Sequence, residues 1–283
     1  MSSQVDLNSP PGVDPTRASV ARVYDYLLGG KDNYEIDRTT ADQLAHSMPE
    51  VRDLALENRA FLIRACRFLA TSADIDQYLD CGSGLPTAEN VHQVVHRIRR
   101  EAKVVYSDHD PLVTAHGRAL LDDLNQVRYV EGDIFNPDSI LENQVVQAHL
   151  DWKQPIALFF VATLHHHKGE RHEPAEVMRR YIDALPSGSY VVISHILDPA
   201  DASEDATAMA ELMDAVRNGS LAGATARTYA EIGELFHGLE FVPSGPTGEP
   251  GLVPLVSWWP DGPRLKPLNV AQRLFVGGIA RKP

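Results

Sequence analysis

The apolar residues of the first 72 positions recur at helical spacing, with no strand-like run among them. The first stripe lies in the segment ASVARVYDYLLGG, where Val20, Val23, Tyr24, Leu27 and Leu28 fall on one face of a helix. The glycine pair that follows stops this helix. The polar stretch over 31–50 predicts a short helix at most, ending before Pro49, and a second stripe from Glu50 to Ala70 predicts one long helix.

After residue 72 the pattern changes to short apolar runs that alternate with helical stretches. The predicted strands lie in DQYLDC, KVVYSD, VRYVEGD, the nearly all-apolar QPIALFFVATLH and GSYVVISHI. This alternation predicts an α/β fold in which a parallel sheet carries helices on both faces. Two further helices are expected over 201–218 and 228–238, and the stretches FVPSGPTGEPGLVPLVSWWP and QRLFVGGIARK are compatible with a hairpin at the sheet edge.

Three parts of the chain follow from these patterns. Residues 1–15, rich in Pro, Ser and Asp, are expected to form a flexible arm. Residues 16–72 form a helical cap, and residues 73–283 form one α/β domain.

Charge and cysteine content narrow the class of protein. The 39 acidic and 26 basic residues give a net charge of -13, which disfavours electrostatic binding to nucleic acid or to an anionic membrane. The only two cysteines, Cys66 and Cys81, have no partners at metal-ligand spacing and do not suggest a disulfide framework. With no signal peptide and no apolar run long enough to span a bilayer, we expect a cytoplasmic protein.

The first predicted strand ends in a glycine turn, Gly82-Ser83-Gly84. Glycines at its first and third positions let the backbone approach a ligand closely, and the following helix offers free N–H groups. A dinucleotide-binding fingerprint would continue with a third glycine at position 87, where this chain has Thr87. The alternative is a tight strand-to-helix turn that binds nothing.

Acidic residues follow the next two predicted strands. Asp108 is placed to accept hydrogen bonds from ribose hydroxyls, while Asp110 is expected to cap the following helix. Asp133 could accept from an adenine amino group with Ile134 against the ring, or could cap a helix instead. A glycine turn and two acids at three successive strand ends together predict an adenosyl ligand.

These residues resemble a known series. The D-x-G-x-G turn, the acid ending the second strand and the "GD" after the third, here DCGSG, VVYSD and VEGDI, resemble the class I S-adenosylmethionine (SAM)-dependent methyltransferases. SVARVYDYLLGGKDNYEIDR, LDCGSGLPTAENVHQV, VVYSDHDPLVTAHGRALL, LHHH and VPLVSWWPDG are similar to one actinomycete family within that class, long catalogued as a domain of unknown function. The resemblance runs from about Arg17 to Lys282.

The resemblance implies a Rossmann-like, seven-stranded, mostly parallel sheet whose last strand is antiparallel, beneath an N-terminal helical cap. It also implies a binding role for the strand-end residues. Gly82, Ser83 and Gly84 would lie along the methionine part of SAM, Asp108 at the ribose, His109, Asp133 and Ile134 at the adenine, and Val161 and Ala162 near the sulfonium. Cys81 stands where the general motif often has a small or aliphatic residue.

The segment YDYLLGGKDNY and the long helix supply further candidates. We expect the segment to fold over the SAM pocket, with Tyr26, Gly30, Lys31 and Asn33 facing ligand or acceptor. The alternative is a helix end and a surface turn. Arg59 could pair with the methionine carboxylate through its bidentate fork, or be a solvated helix arginine.

The run His165-His166-His167 is not expected to bind a metal, because adjacent residues on one element do not converge on an ion. His165 or His166, just after the fourth strand, could act as a general base or form a polar pocket edge. Trp258 and Trp259 could line an acceptor pocket or simply pack.

The sequence thus predicts a SAM-dependent methyltransferase that acts on a small-molecule acceptor and needs no metal, with S-adenosylhomocysteine (SAH) as product. A dedicated catalytic residue is not required, because the sulfonium already activates the methyl group and the protein supplies alignment and water exclusion. The alternatives are a SAM-binding sensor or partner protein without catalysis, and a nucleotide-dependent oxidoreductase. The sequence leaves the acceptor and the oligomeric state open.

Overall fold

The computed structural model describes residues 13–86, 89–121, 124–219, 223–263 and 265–283. Its strands are β1 Gln77–Cys81, β2 Lys103–Asp108, β3 Val127–Glu131, β4 Ala157–Val161, β5 Tyr190–Ile196, β6 Glu240–Phe241, β7 Val253–Pro254 and β8 Phe275–Arg281. Its helices are α1 Val20–Leu27, α2 Glu35–Ser47, α3 Val51–Thr71, α4 Val91–His96, α5 Pro111–Leu121, α6 Asp138–Leu141, α7 Gln144–His149, α8 Glu173–Ala184, α9 Glu204–Asn218, α10 Tyr229–Glu234 and α11 Val270–Arg273.

The strands form one mixed sheet in the order β3-β2-β1-β4-β5-β8-β6, with β7 also paired to β8. Strands β1 to β5 run parallel, and β8 is antiparallel to β5. The strand order reverses between β1 and β4, so the crevice of this sheet opens at their carboxyl ends. The predicted Rossmann-like sheet with a reversed last strand is confirmed.

Two apolar layers enclose the sheet. One contains the inner face of α3, with Phe61, Ala65 and Leu69 fully buried, and the other contains α8 and α10. Trp258 belongs to the first layer, is fully buried and packs edge-on against the rings of Phe61 and Phe68 at 5.5 and 5.6 Å. Its position is that of a packing residue of the core.

The cap differs from the sequence expectation at α2, which runs for 13 residues instead of forming a short helix at most. The apolar pattern underestimated it because two of its four buried residues are polar, Asp37 and Thr40. The backbone N–H of Tyr34 donates to the Asp37 carboxylate, which caps the helix start. A side-chain hydrogen bond thus starts a helix that hydrophobic periodicity does not reveal.

Smaller differences lie after β3. The predicted third helix is divided at Asn143, whose side chain caps α7. The helix expected over 228–238 ends at Glu234. The two C-terminal stretches pair antiparallel at this edge of the sheet, as expected, with β6 and β7 from the first stretch both paired to β8. The long strand β8 itself lies inside the sheet, between β5 and these short strands. No helix in the described ranges is long and apolar enough to cross a membrane.

A buried ion pair ties α1 to α2. Arg22 Nε donates to Asp37 Oδ2 at 2.7 Å, and the two side chains are 4% and 0% exposed. The same carboxylate accepts from the backbone N–H of Ser19. Breaking such a pair leaves a charge buried without its partner.

We expect Arg22→Gln to lower the free energy of unfolding by about 3 kcal/mol, measured by urea denaturation. The control is Arg67→Gln, which removes an exposed pair with Asp261 and should cost no more than about 1 kcal/mol. Equal effects of the two substitutions would contradict this account of the cap.

Candidate functional site

The turn after β1 has the backbone conformation that its glycines predict. Gly82 and Gly84 have φ values of +76° and +68°, in the left-handed region that L side chains rarely adopt. A Cβ at Gly82 would lie 2.6 Å from the methyl carbon of Thr163, whereas one at Gly84 would meet nothing within 4 Å. The turn therefore packs tightly on the end of β4 at Gly82 and borders open space at Gly84.

Asp108, at the end of β2, is buried and holds this turn in place. Its Oδ2 accepts from the backbone N–H of Gly84 and its Oδ1 from that of Asp110, both at 2.9 Å. Each carboxylate oxygen can accept a further hydrogen bond. Asp110 in turn accepts from the N–H of Leu112, which confirms it as the cap of α5.

The predicted adenine residues separate into an inner and an outer position. Ile134 is buried, and its Cδ1 lies 3.9 Å from where a Gly82 Cβ would be. Asp133 is exposed and accepts a local hydrogen bond from the N–H of Phe135. His109 is also exposed, with its Nδ1 3.8 Å from Asp108 Oδ1. The structure therefore brings Ile134 to the glycine turn and leaves Asp133 and His109 at the rim.

The end of β4 carries Val161 and Ala162, both half-buried. Ala162 has a φ of +59°, which is uncommon for a residue with a Cβ. Its N–H donates to Ser194 Oγ at 2.8 Å, and Ser194 donates to Asn58 Oδ1 at 2.6 Å. Asn58 Nδ2 then donates to the hydroxyl of Tyr24 at 2.8 Å.

This chain of hydrogen bonds, from Ala162 through Ser194 and Asn58 to Tyr24, joins the β4 turn to the cap. Sequence reasoning missed Ser194 and treated Asn58 only as part of an apolar stripe. The sequence feature that could have revealed them is a polar residue within a mostly apolar pattern. Ser194 interrupts the strand GSYVVISHI, and Asn58 interrupts the apolar stripe of α3.

The loop after α1 is organised around Asp25, another residue that sequence reasoning missed. Its carboxylate is buried and accepts from Asn33 Nδ2 at 2.8 Å and from the N–H of Asp32 at 3.0 Å. A Cβ at Gly30 would lie 2.0 Å from Asp25 Oδ1. Gly30 and Asn33 therefore form this loop around Asp25, Gly30 by packing closely against the carboxylate and Asn33 by donating to it. Of the other two candidates in the segment, Tyr26 packs against the core and Lys31 is exposed.

The first cap helix lies across the carboxyl edge of the sheet. Ser19 Oγ donates to Asp110, and Ala21 packs beside Leu85, Leu112 and Val113, which surround the glycine turn and the start of α5. The following loop brings Asp32 to 3.9 Å from His116 on α5. These contacts place the start of α1 and its following loop beside the glycine turn and α5, and the covering of a SAM pocket by this segment stays a prediction.

Polar atoms without partners lie around the same turn. Arg59 Nε and Thr163 Oγ1 are buried and make no hydrogen bond, a state that folded proteins rarely leave uncompensated. Asp80, buried at the end of β1, has its pKa raised to about 7 by burial, with Asp108 adding to the shift and the Arg59 charge opposing it. The donor set fits a ligand with a carboxylate for Arg59 and a positive charge near Asp80.

The three adjacent histidines have different partners. His165 is buried and its Nδ1 has no hydrogen-bond partner. His166 Nδ1 lies 3.4 Å from the Gly223 carbonyl oxygen, and His167 Nδ1 accepts from the N–H of Gly169. Burial lowers the pKa of His165 well below its usual range and that of His166 to about 4.

Two open surface cavities lie away from this site. One, of about 530 Å³, lies between α8 and α10, and the other, of about 550 Å³, lies between α2 and α9. Their linings consist mainly of helix-surface side chains, whereas the unpartnered buried atoms Thr163 Oγ1 and His165 Nδ1 belong to the turn after β4.

We expect Gly30→Ala to lower the free energy of unfolding by about 1–3 kcal/mol, because the added methyl group overlaps the buried Asp25 carboxylate. The matched control is Gly233→Ala on α10, where a Cβ meets nothing within 4 Å and should be neutral or slightly stabilising. Denaturant titration measures both. A Gly30→Ala protein as stable as the wild type would show that Asp25 does not pack over this position.

The comparisons with known proteins agree with this geometry. A family model described as S-adenosyl methyltransferase matches residues 7–283. The crystal structure of a candidate methyltransferase from Thermobifida fusca YX is similar, with 38% identity, a TM-score of 0.88 and coverage of 98% of this chain and 99% of that one. A DUF574 family protein from Streptomyces avermitilis MA-4680 shares 33% identity, with a TM-score of 0.85 and coverage of 95% and 99%. No curated protein matches the chain.

Proposed function

Because the chain belongs to the S-adenosyl methyltransferase family, we propose that it transfers the methyl group of SAM to a small-molecule acceptor. The observation that carries the proposal is the glycine turn held by Asp108, together with the unpartnered Arg59 Nε, whose charge acts on Asp80 just before that turn. The net charge of -13 favours a small acceptor over a nucleic acid.

In this proposal the chain holds SAM at both ends. The Asp108 carboxylate accepts from the ribose hydroxyls with the lone pairs that Gly84 and Asp110 leave free. Arg59 binds the methionine carboxylate, and Ile134 packs against the adenine, with Asp133 and His109 at its rim. Val161 and Ala162 lie beside the reacting methyl group.

Bound SAM supplies a methyl group that its sulfonium has already activated. What remains for the protein is to align the acceptor and to exclude water. The cap does both, because α1 covers the turn and the hydrogen bonds of Asn58 and Ser194 hold the end of β4 rigidly against α3.

A general base at His165 or His166 was one expectation from the sequence. Burial lowers the pKa of both imidazoles, and the neighbouring His166, His195 and Arg227 lower that of His165 further. A side chain that resists protonation at neutral pH is a weak general base. The structure thus favours a hydrogen-bonding role for His165 over proton abstraction.

Calorimetry with SAM, SAH and NAD tests the proposal. We expect SAM and SAH to bind and NAD not to. An absence of SAM binding at about millimolar concentration would overturn the proposed function. Binding without methyl transfer to any compound in a screen with labelled SAM would favour the sensor alternative.

Replacing Arg59 tests the carboxylate contact. We expect Arg59→Gln to weaken SAH binding about tenfold or more, since a charge-assisted hydrogen bond contributes about 1.5–3 kcal/mol. The control on the same helix is Arg67→Gln, which removes only an exposed pair with Asp261. Unchanged SAH affinity in Arg59→Gln would remove this residue from the site.

The acidity of Asp80 predicts a pH effect on SAM binding. With its pKa at about 7, Asp80 is mostly protonated at about pH 6 and mostly ionised at about pH 8. SAM carries one more positive charge than SAH, so it stabilises the ionised form more strongly. The ratio of SAM affinity to SAH affinity should therefore rise several-fold over this range, and Asp80→Asn should abolish the rise. A ratio independent of pH in the wild type would contradict the prediction.

A further inference from the structure

Arg227 is a buried guanidinium without a carboxylate partner. It is 1% exposed and lies behind the carboxyl end of β5. Its Nη1 contacts His195 Nε2 at 3.2 Å, and its Nε donates to the Arg171 carbonyl oxygen at 3.2 Å. In the part of the chain that the structure describes, no carboxylate oxygen lies within 4 Å of it. Buried charges are normally paired, because an unpaired charge away from water is energetically costly.

The nearest acid is already committed elsewhere. Glu231 accepts from Arg171 Nε at 2.7 Å and from Arg171 Nη2 at 2.6 Å, and it also accepts from Thr228. Two guanidinium groups therefore face one carboxylate. The cluster of Arg171, Glu231 and Arg227 retains a single positive charge, which suits a monoanion.

His195 contacts Arg227 as a neutral hydrogen-bond acceptor and does not carry the positive charge. Arg227 can only donate, so His195 Nε2 must accept, and His195 Nδ1 must donate to the Ile196 carbonyl oxygen at 2.7 Å. Burial keeps the imidazole neutral by lowering the pKa of His195 to about 3. The positive charge stays on Arg227.

The turn after β4 lies between Arg227 and the proposed cofactor site. His165 packs edge-on against His195, with ring centroids 5.2 Å apart, and its Nδ1 is buried without a partner. Two residues earlier, the methyl group of Thr163 packs on Gly82 while its Oγ1 also lacks a partner. Two unpartnered polar atoms thus belong to one turn, which contacts the glycine turn on one side and His195 on the other.

We propose that this cationic subsite, formed by Thr163, His165, His195 and Arg227, binds a carboxylate group of the acceptor. The Nδ1–H of neutral His165 and the hydroxyl of Thr163 donate to it. Arg227 acts through His195 and His165 as a positioning residue that supplies the balancing charge. The inference rests on the proposed function, since it names the class of acceptor for the same site.

The chemistry of methyl transfer agrees with a carboxylate. A carboxylate oxygen forms a bond to the methyl carbon while the carbon–sulfur bond breaks and its electron pair stays on sulfur. The negative charge of the acceptor and the positive charge of the sulfonium cancel, which leaves a neutral ester and a neutral thioether. No proton moves, so the weak basicity of His165 is no obstacle. An amine acceptor would instead become a cation beside Arg227.

The experiment measures the binding of three ligands of similar shape to the SAH-loaded protein by calorimetry or NMR: benzoate, benzyl alcohol and benzylamine. We expect benzoate to bind at least about tenfold more tightly than the other two. Nonspecific attraction cannot produce this order, because the net charge of -13 repels benzoate and attracts benzylamine. Equal binding of the three, binding that favours the amine, or no binding of benzoate at about 10 mM would overturn the proposal.

Substitutions of Arg227 and His165 test whether these residues cause the preference for benzoate. Arg227→Gln should remove most of the preference for benzoate over benzyl alcohol, whereas Arg227→Lys should keep part of it. His165→Asn retains a donor near the Nδ1 position and should bind benzoate better than His165→Leu. The control Arg180→Gln removes an exposed pair with Asp138 on α8 and should leave the preference intact.

Two outcomes distinguish a failure of the proposed function from a failure of the carboxylate subsite alone. If SAH does not bind the wild type, the proposed function fails. If SAH binds and the preference for benzoate is absent, or survives in folded Arg227→Gln, only the carboxylate subsite fails. Should the Arg227 variants not fold, the ligand series on the wild type and the His165 pair still decide.

Discussion

The hydrogen-bond chain from Ala162 through Ser194 and Asn58 to Tyr24 is the constraint on which the site depends. Its direction is unambiguous: the Asn58 amide oxygen can only accept, so Ser194 must donate to it and accept from the Ala162 N–H. The Tyr24 hydroxyl completes the chain by donating to the Ala55 carbonyl oxygen. A fully satisfied buried network of this kind specifies one arrangement of its members. Here it joins the cap, β4 and β5, and holds Ala162 in its left-handed conformation.

The charged groups around the crevice are separated into an acidic side and a cationic side. On the β1 and β2 side lie Asp80 and Asp108, with Arg59 the nearby cation. On the β5 side lie neutral histidines in front of Arg227. Acidic groups near one part of a site and a cation near another suit a reaction that joins a cation to an anion.

The sequence predicted those features that repeat locally. Hydrophobic periodicity predicted α1, α3 and the five parallel strands, and the glycine turn and Asp110 were recognised because their geometry is fixed by neighbouring residues. What it missed depends on distant pairs. Ser194 and Asn58 are 136 positions apart, and His195 and Arg227 are 32 apart. Asp25 was missed for another reason: a single acid on an apolar helix gives no hint of the loop that will wrap around it.

The placement of β8 has a consequence for how the molecule is assembled. This strand pairs with β5 over seven residues and with β6 and β7 as well, although α9, α10, β6, β7 and α11 separate it from β5 along the chain. Until β8 arrives, β5 exposes an unpaired edge along its length. Such long-range pairing makes folding slow and leaves a strand edge open to other chains in the meantime. A ribosome making this chain must therefore have released every residue up to β8 before the sheet that carries the site can close.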